Sequence, residues 1–160
     1  MKSEPNRAGF TLVEILVVVV LLGIAAAVVV PQIASGEDFQ VRSAARMLAS
    51  DLQYAQSLAT TTQSSVTVSF VPAGSSYSLS NASGTLTHPI TKDAYNVDFR
   101  SQGDFSDLEM LSADFGGNSL VSFDSMGIPS NPGSVVLQAG PHVFQVDIAA
   151  ATGRITVSEK

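Results

Sequence analysis

Four sets of side chains in this 160-residue sequence are of types that do chemistry. The first is a lone carboxylate, Glu14, in the stretch GFTLVEILVVVV from Gly9 to Val20, directly ahead of a run, Ile15 to Val30, in which every residue is apolar or glycine. A carboxylate costs about 2.5 kcal/mol or more at the middle of a bilayer, so a sequence that keeps one near such a run has a use for it. The second set is His88 and His142, either of which could serve a serine as general base. Neither lies in a recognisable nucleophile motif: His88 precedes Pro89 in an expected loop and His142 follows Pro141 at an expected strand start. No catalytic residue is assigned, and no enzyme activity is expected. The third set is Asp104, Asp107, Glu109 and Asp114, oxygen ligands of the kind calcium takes. Their spacing lacks the glycine at the sixth and glutamate at the twelfth position of an EF-hand loop, so a solvated acidic surface is expected, with no metal and no cofactor. The fourth is Gly153-Arg154, where a cation near the C-terminus could meet a nucleic-acid phosphate. Only Lys160 joins Arg154 in the tail and Glu159 offsets one of them, so counterion release would be small.

The bulk composition narrows the classes further. Eight Lys and Arg against 14 Asp and Glu leave a net charge of −6, which gives no general basic surface for a polyanion, and nucleic acid is an unlikely partner. No cysteine is present, which removes disulfides, thiol nucleophiles and Cys-based zinc sites together. At this length, with 45% hydrophobic residues, one globular domain and an appendage are expected.

The appendage comes first. A short polar leader with Lys2 and Arg7 precedes Phe10 to Val30, a 21-residue stretch broken only by Thr11 and Glu14. As an α-helix it spans roughly 30 Å, about the thickness of the hydrocarbon core, and the cationic leader sets the N-terminus in the cytoplasm. A removable secretory signal cut after Ala25-Ala26-Ala27 is the competing reading, but an acidic residue inside its apolar region fits poorly. Beyond Pro31, Val41, Ala45, Leu48, Leu52, Ala55 and Ala59 recur at steps of four and three, one stripe of an amphipathic helix. Glu37 and Asp38 suit its start, Thr60-Thr61-Thr62 its end, and Arg42, Arg46, Asp51 and Gln53 fall off the stripe onto an expected solvated face.

After Thr62 the period drops to two. Val66, Val68 and Phe70 alternate with Thr67 and Ser69, Pro72-Ala73-Gly74 breaks the run, and Tyr77 and Leu79 resume it, which predicts a hairpin. Further strands are predicted at Tyr95 to Phe99, Leu108 to Leu111, Leu120 to Phe123, Ser134 to Gln138, Val143 to Ile148 and Arg154 to Val157. Ser80 to Thr91 is expected to be a mobile loop, with a weak glycosylation match at Asn81-Ala82-Ser83. The fold class is α+β: a long N-terminal helix packed on antiparallel sheets.

GFTLVE, after a basic leader and before a long apolar run, resembles the class III signal of type IV pilins and type II secretion pseudopilins. That resemblance implies that a prepilin peptidase cuts between Gly9 and Phe10 and methylates the new amine of Phe10. It further implies that Glu14 pairs with the N-terminal amine of a neighbouring subunit during assembly, and that Pro31 marks a bend. Tyr54 to Phe70 (YAQSLATTTQSSVTVSF), Leu120 to Leu137 (LVSFDSMGIPSNPGSVVL) and Thr152 to Val157 (TGRITV) are similar to GspH/FimT-type minor pseudopilins; residues 81–119 carry no matching motif. The implied organisation is a leader at 1–9, a transmembrane helix at 10–30, an amphipathic continuation at 31–62 and a periplasmic β-rich domain at 63–160. The implied function is a structural subunit of a type II secretion pseudopilus, held in the inner membrane and partnered by other pseudopilins, prepilin peptidase and secreted cargo. The rival is a FimT-like minor pilin of a type IV pilus that binds DNA through Arg154; here the second arginine of the GRxR pattern is replaced by Thr156.

Overall fold

The alternations and stripes of the sequence fold as follows in the computed structural model, which describes residues 11–29 and 36–160. The chain divides into two compact units, Met1–Ala34 and Ser35–Lys160. In the first, α1 runs Leu12–Val29. Every residue from Thr11 to Ala25 is exposed. The 18 residues of α1 rise about 27 Å, and among the described residues no helix is both long and apolar enough to cross a membrane. Gly9, Phe10 and Pro31 lie outside the described residues.

The second unit is built on α2, Gly36–Thr62. Glu37 and Asp38 occupy its first turn, where negative charge favours the helix dipole. Its last turn is closed by threonine hydroxyls: Thr60 and Thr61 donate to the Ser57 carbonyl and Thr62 to that of Leu58, each at 2.8 Å. Gln63 then turns left-handed (φ 52°), and the Ser64 N–H reaches back to the Ala59 carbonyl at 3.2 Å, a Schellman ending with glutamine where glycine is usual.

Two antiparallel sheets flank this helix. The first contains β1 (Val66–Val71), β2 (Ser76–Asn81), β3 (Gly84–Thr85), β4 (Asn96–Asp98) and β6 (Leu120–Phe123). It is ordered β3-β2-β1-β6, with β4 also paired to β2. The second contains β5 (Leu108–Asp114), β7 (Gly133–Ala139), β8 (His142–Ile148) and β9 (Ile155–Glu159), ordered β5-β7-β8-β9. Register puts apolar side chains opposite one another, as in Val68 with Leu79 and Val121, Phe70 with Tyr77, and Leu137 with Phe144. The stripe Val41, Ala45, Leu48, Leu52, Ala55 and Ala59 is buried, together with Ala44 and Ala49. Burying a leucine such as Leu48 or Leu52 contributes about 1.5–3 kcal/mol, so the stripe is what holds helix and sheets together.

Three expectations need correction. The predicted strand from Leu108 to Leu111 runs on to Asp114, because a bulge between Met110 and Ser112 shifts the alternation and turns Leu111 outward. The loop expected over Ser80 to Thr91 begins as a tight hairpin of β2 and β3, with the Ser83 N–H held by Asn81 Oδ1 at 2.9 Å. Asp51 is not on a solvated face. The two flanking sheets widen the buried arc of α2 beyond one stripe, and the Tyr77 hydroxyl donates to Asp51 Oδ2 at 2.5 Å.

Candidate assembly site

Glu14 is the third residue of α1, and Thr11 precedes the first. The Glu14 N–H donates to Thr11 Oγ1 at 3.2 Å and to its carbonyl at 3.1 Å, so Thr11 caps the helix. Thr11-Leu12-Val13-Glu14 therefore has the spacing of a capping box. The glutamate stands where a negative charge favours the helix N-terminus, a local reason for its position that the T-x-x-E pattern carries in the sequence. Around it Leu12 is 82% exposed and Val13 67%. An all-round apolar surface of this length needs a lipid or protein environment.

The three sequence blocks Tyr54 to Phe70, Leu120 to Leu137 and Thr152 to Val157 converge at the C-terminal end of α2. Gln56 Nε2 donates to the Gly127 carbonyl at 2.8 Å and to that of Thr152 at 3.3 Å. Gln63 Nε2 donates to the Ser125 carbonyl at 3.3 Å. Asp124 Oδ1 accepts from the N–H groups of Met126 and Ile128, fixing the turn that presents Gly127. Gly153 is buried with φ 61°, and a Cβ there would lie 2.4 Å from Gln56 Nε2 and 2.9 Å from the Gly127 carbonyl. Only glycine fits, so Gly153 is a packing residue.

Arg154, one residue on, has an exposed side chain while its carbonyl accepts the Ala149 N–H at 2.9 Å. It sits just before β9 and Lys160 just after it, about 20 Å apart along the strand, so the two cations form no common patch. His88 Nδ1 accepts from the N–H groups of Ile90 and Thr91, each at 3.2 Å, and thus holds a turn. His142 opens β8 with Nδ1 4.0 Å from Asp38 Oδ1. Asp114 Oδ1 accepts the Gly117 N–H at 2.8 Å, while Asp104, Asp107 and Glu109 are exposed. Among the described residues no three His, Cys, Asp or Glu side chains are gathered around a metal-sized point.

One titratable cluster escaped the sequence. Asp51 is half-buried beneath Tyr77 and Tyr95, and burial lifts its carboxyl above the ordinary value despite hydrogen bonds from both hydroxyls. Burial and the adjacent carboxylate raise the Tyr77 and Tyr95 phenols in turn. Tyr54 stacks on Tyr95 at 5.8 Å between ring centres, and the His88 ring lies 4.5 Å from that of Tyr95, tilted by 51°. The cluster ties α2 to β2 and to the segment just before β4; its partners are too far away in sequence for spacing to reveal it.

Comparison with known proteins bears on the same elements. The family model of the prokaryotic N-terminal methylation motif matches residues 5–30, and that of the type II transport protein GspH matches residues 44–158. The second range takes in Asp51, Gln56, Gly127, Gly153 and Arg154. No curated protein matches the chain in sequence. Among solved structures, the minor pseudopilin EpsH from the Vibrio cholerae type 2 secretion system is similar, with a TM-score of 0.58 at 11% identity over 75% of this chain and 97% of that one. The type IV minor pilin FimU of Pseudomonas aeruginosa gives a TM-score of 0.51 at 20% identity over 73% of this chain and 91% of that one. At these identities the likeness is one of fold, and the fold is pilin-like. With an N-terminal methylation motif ahead of a domain matched over most of the chain, this protein belongs to the GspH family of type II transport proteins.

Proposed function

We propose that the chain is a minor pseudopilin, a structural subunit of a type II secretion pseudopilus that serves protein transport across the outer membrane. The single observation that carries this reading is α1: an apolar helix exposed from Leu12 to Ala25, with one carboxylate in its first turn, in the same chain as a GspH domain. In this reading residues 10–30 anchor the subunit in the inner membrane, the N-terminus is cytoplasmic and the GspH domain is periplasmic. Prepilin peptidase removes Met1 to Gly9, and the methylated amine of Phe10 begins the mature chain. On assembly α1 packs among the equivalent helices of other pilin-type subunits, and Glu14 pairs with a neighbour's N-terminal amine. A carboxylate leaving water is tolerable when a cation meets it there. Pro31, which offers no N–H, bends or loosens the helix at the end of the apolar run. The domain's outward surface meets neighbours and secreted cargo, and the subunit works by packing rather than by catalysis.

The test is mass spectrometry of the protein isolated from membranes. The expected mature chain starts at N-methylated Phe10; an intact Met1, or a start after Ala27, would falsify the reading. A pilus role is the second reading, favoured by the likeness to the minor pilin FimU. Deleting the gene separates the two: loss of exoprotein secretion supports the pseudopilus, and loss of piliation or DNA uptake with normal secretion supports the pilus.

A further inference from the structure

The first turns of α2 and the turns ahead of β5 enclose an open groove of about 460 Å³, lined by Gly36, Phe39, Gln40, Ser43, Gly103, Asp104 and Phe105. Its two aromatic walls differ in how they are held. Phe105 is fixed edge-on against buried Phe99, with ring centres 5.7 Å apart and planes at 88°. Phe39 is 71% exposed, an unusual state for a phenylalanine on a packed helix. Two polar residues, Gln40 and Asp104, line the same space. Gln40 Oε1 is withdrawn from solvent with no hydrogen-bond donor, and its loosely held terminal torsion lets the amide turn toward the groove. Asp104 is followed in sequence by Asp107 and Glu109; all three are exposed and, among the described residues, none has an ion-pair partner. Arg42, the nearest cation on this end of α2, is already engaged by Asp38 at 3.4 Å and lies over the Phe144 ring.

Aromatic faces, an acceptor without a donor and an unopposed carboxylate together fit a planar cation. A guanidinium stacks on rings while donating in its own plane to amide and carboxylate oxygens, which a compact ammonium does less well. We propose that this groove takes an arginine side chain presented by the adjacent subunit of the filament. The proposal rests on the pseudopilin reading above and adds to it a specific contact at the end of the domain where the chain enters from α1. The groove is shallow and open, and so suits one anchoring side chain of a protein surface rather than an enclosed small molecule.

The test is photo-crosslinking in cells, with a photoreactive amino acid in place of Ser43 in the full chain and the adduct identified by peptide mass spectrometry. The expected adduct is with another pilin-type subunit, at a peptide containing arginine. Its yield is expected to fall about tenfold or more on adding Asp104→Arg, which places like charges together. Phe39→Ala is expected to weaken it while leaving the thermal unfolding of the domain unchanged, since that ring is exposed. Adducts only with a second copy or with a secreted protein, or a yield indifferent to both substitutions, overturn the proposal. So does the absence of an adduct when the same sample contains processed, assembled subunit, and in that case the pseudopilin reading stands. A chain that is neither processed at Phe10 nor assembled overturns both.

Discussion

The two helices of this chain are both long, and they solve opposite problems. α1 is apolar on every side and exposed from Leu12 to Ala25, whereas α2 is apolar on one broad arc and buries that arc between two sheets. α2 thus completes its packing within one chain. α1 has an apolar surface that only lipid or other subunits can cover, and its one charge stands at its end. The difference locates stability in one helix and assembly in the other.

The sharpest way to break that division is Glu14→Ala. Membrane insertion and the unfolding of the soluble domain are expected to stay as they are, while incorporation into filaments, scored by co-fractionation with other subunits, falls about a hundredfold because a neighbour's amine loses its counter-charge. Normal incorporation would reduce Glu14 to the helix-capping role that its bond to Thr11 supplies. The converse experiment is Leu52→Ala, which empties a fully buried site on α2. It is expected to lower stability by about 2–5 kcal/mol in denaturant titration, whereas Leu16→Ala on exposed α1 leaves that titration unchanged. Gly153→Ala comes next, at about 1–3 kcal/mol. A left-handed backbone and the Gln56 amide both oppose the new methyl, and Gln56→Ala in the same chain should relieve part of the loss.

Smaller effects separate charge from hydrogen bonding in α2. Asp51→Ala strands the Tyr77 hydroxyl and is expected to cost about 1–3 kcal/mol, while Asp51→Asn keeps an acceptor and should cost less. The pH dependence has a definite sign. Burial raises the Asp51 carboxyl above its ordinary 3.8, so its contribution favours the fold at low pH and is lost as pH rises through the raised value. Melting curves of Asp51→Asn should therefore lose less stability than wild type over that window. Burial also raises Tyr77 and Tyr95 above the ordinary 10.0, so the stability they supply is present below pH 10 and is lost as pH climbs beyond it. Tyr77→Phe should flatten that alkaline limb. Ionisation of Tyr77 or Tyr95 at pH 10 without unfolding, followed by the ring resonances of each residue, would count against the buried cluster.

What could be seen in the sequence follows the range of the interaction that sets it. The α2 stripe and the alternation of Val66, Val68 and Phe70 are local periodicities, and both mark the buried face. At β5 the bulge puts Leu111 and Ser112 outside together, which disguises a seven-residue strand as a shorter one. Asp51 was misassigned because one helical stripe is the expectation for a helix on one sheet, and here there are two. The TxxE cap at Thr11 is fully local and legible, and it coincides with a bilayer demand on the same charge. Gln56 gave no sign, since its acceptors lie 71 and 96 residues downstream.

Those separations set an order on the life of the chain. A ribosome delivers residues from the N-terminus, so α2 exists before β9 does, and its apolar arc is covered on both flanks only when the second sheet arrives. Gln56 can reach its first acceptor, the Gly127 carbonyl, well before its second, the Thr152 carbonyl, has emerged. The joint thus closes in two stages, first on the turn that presents Gly127 and then on the turn just before β9.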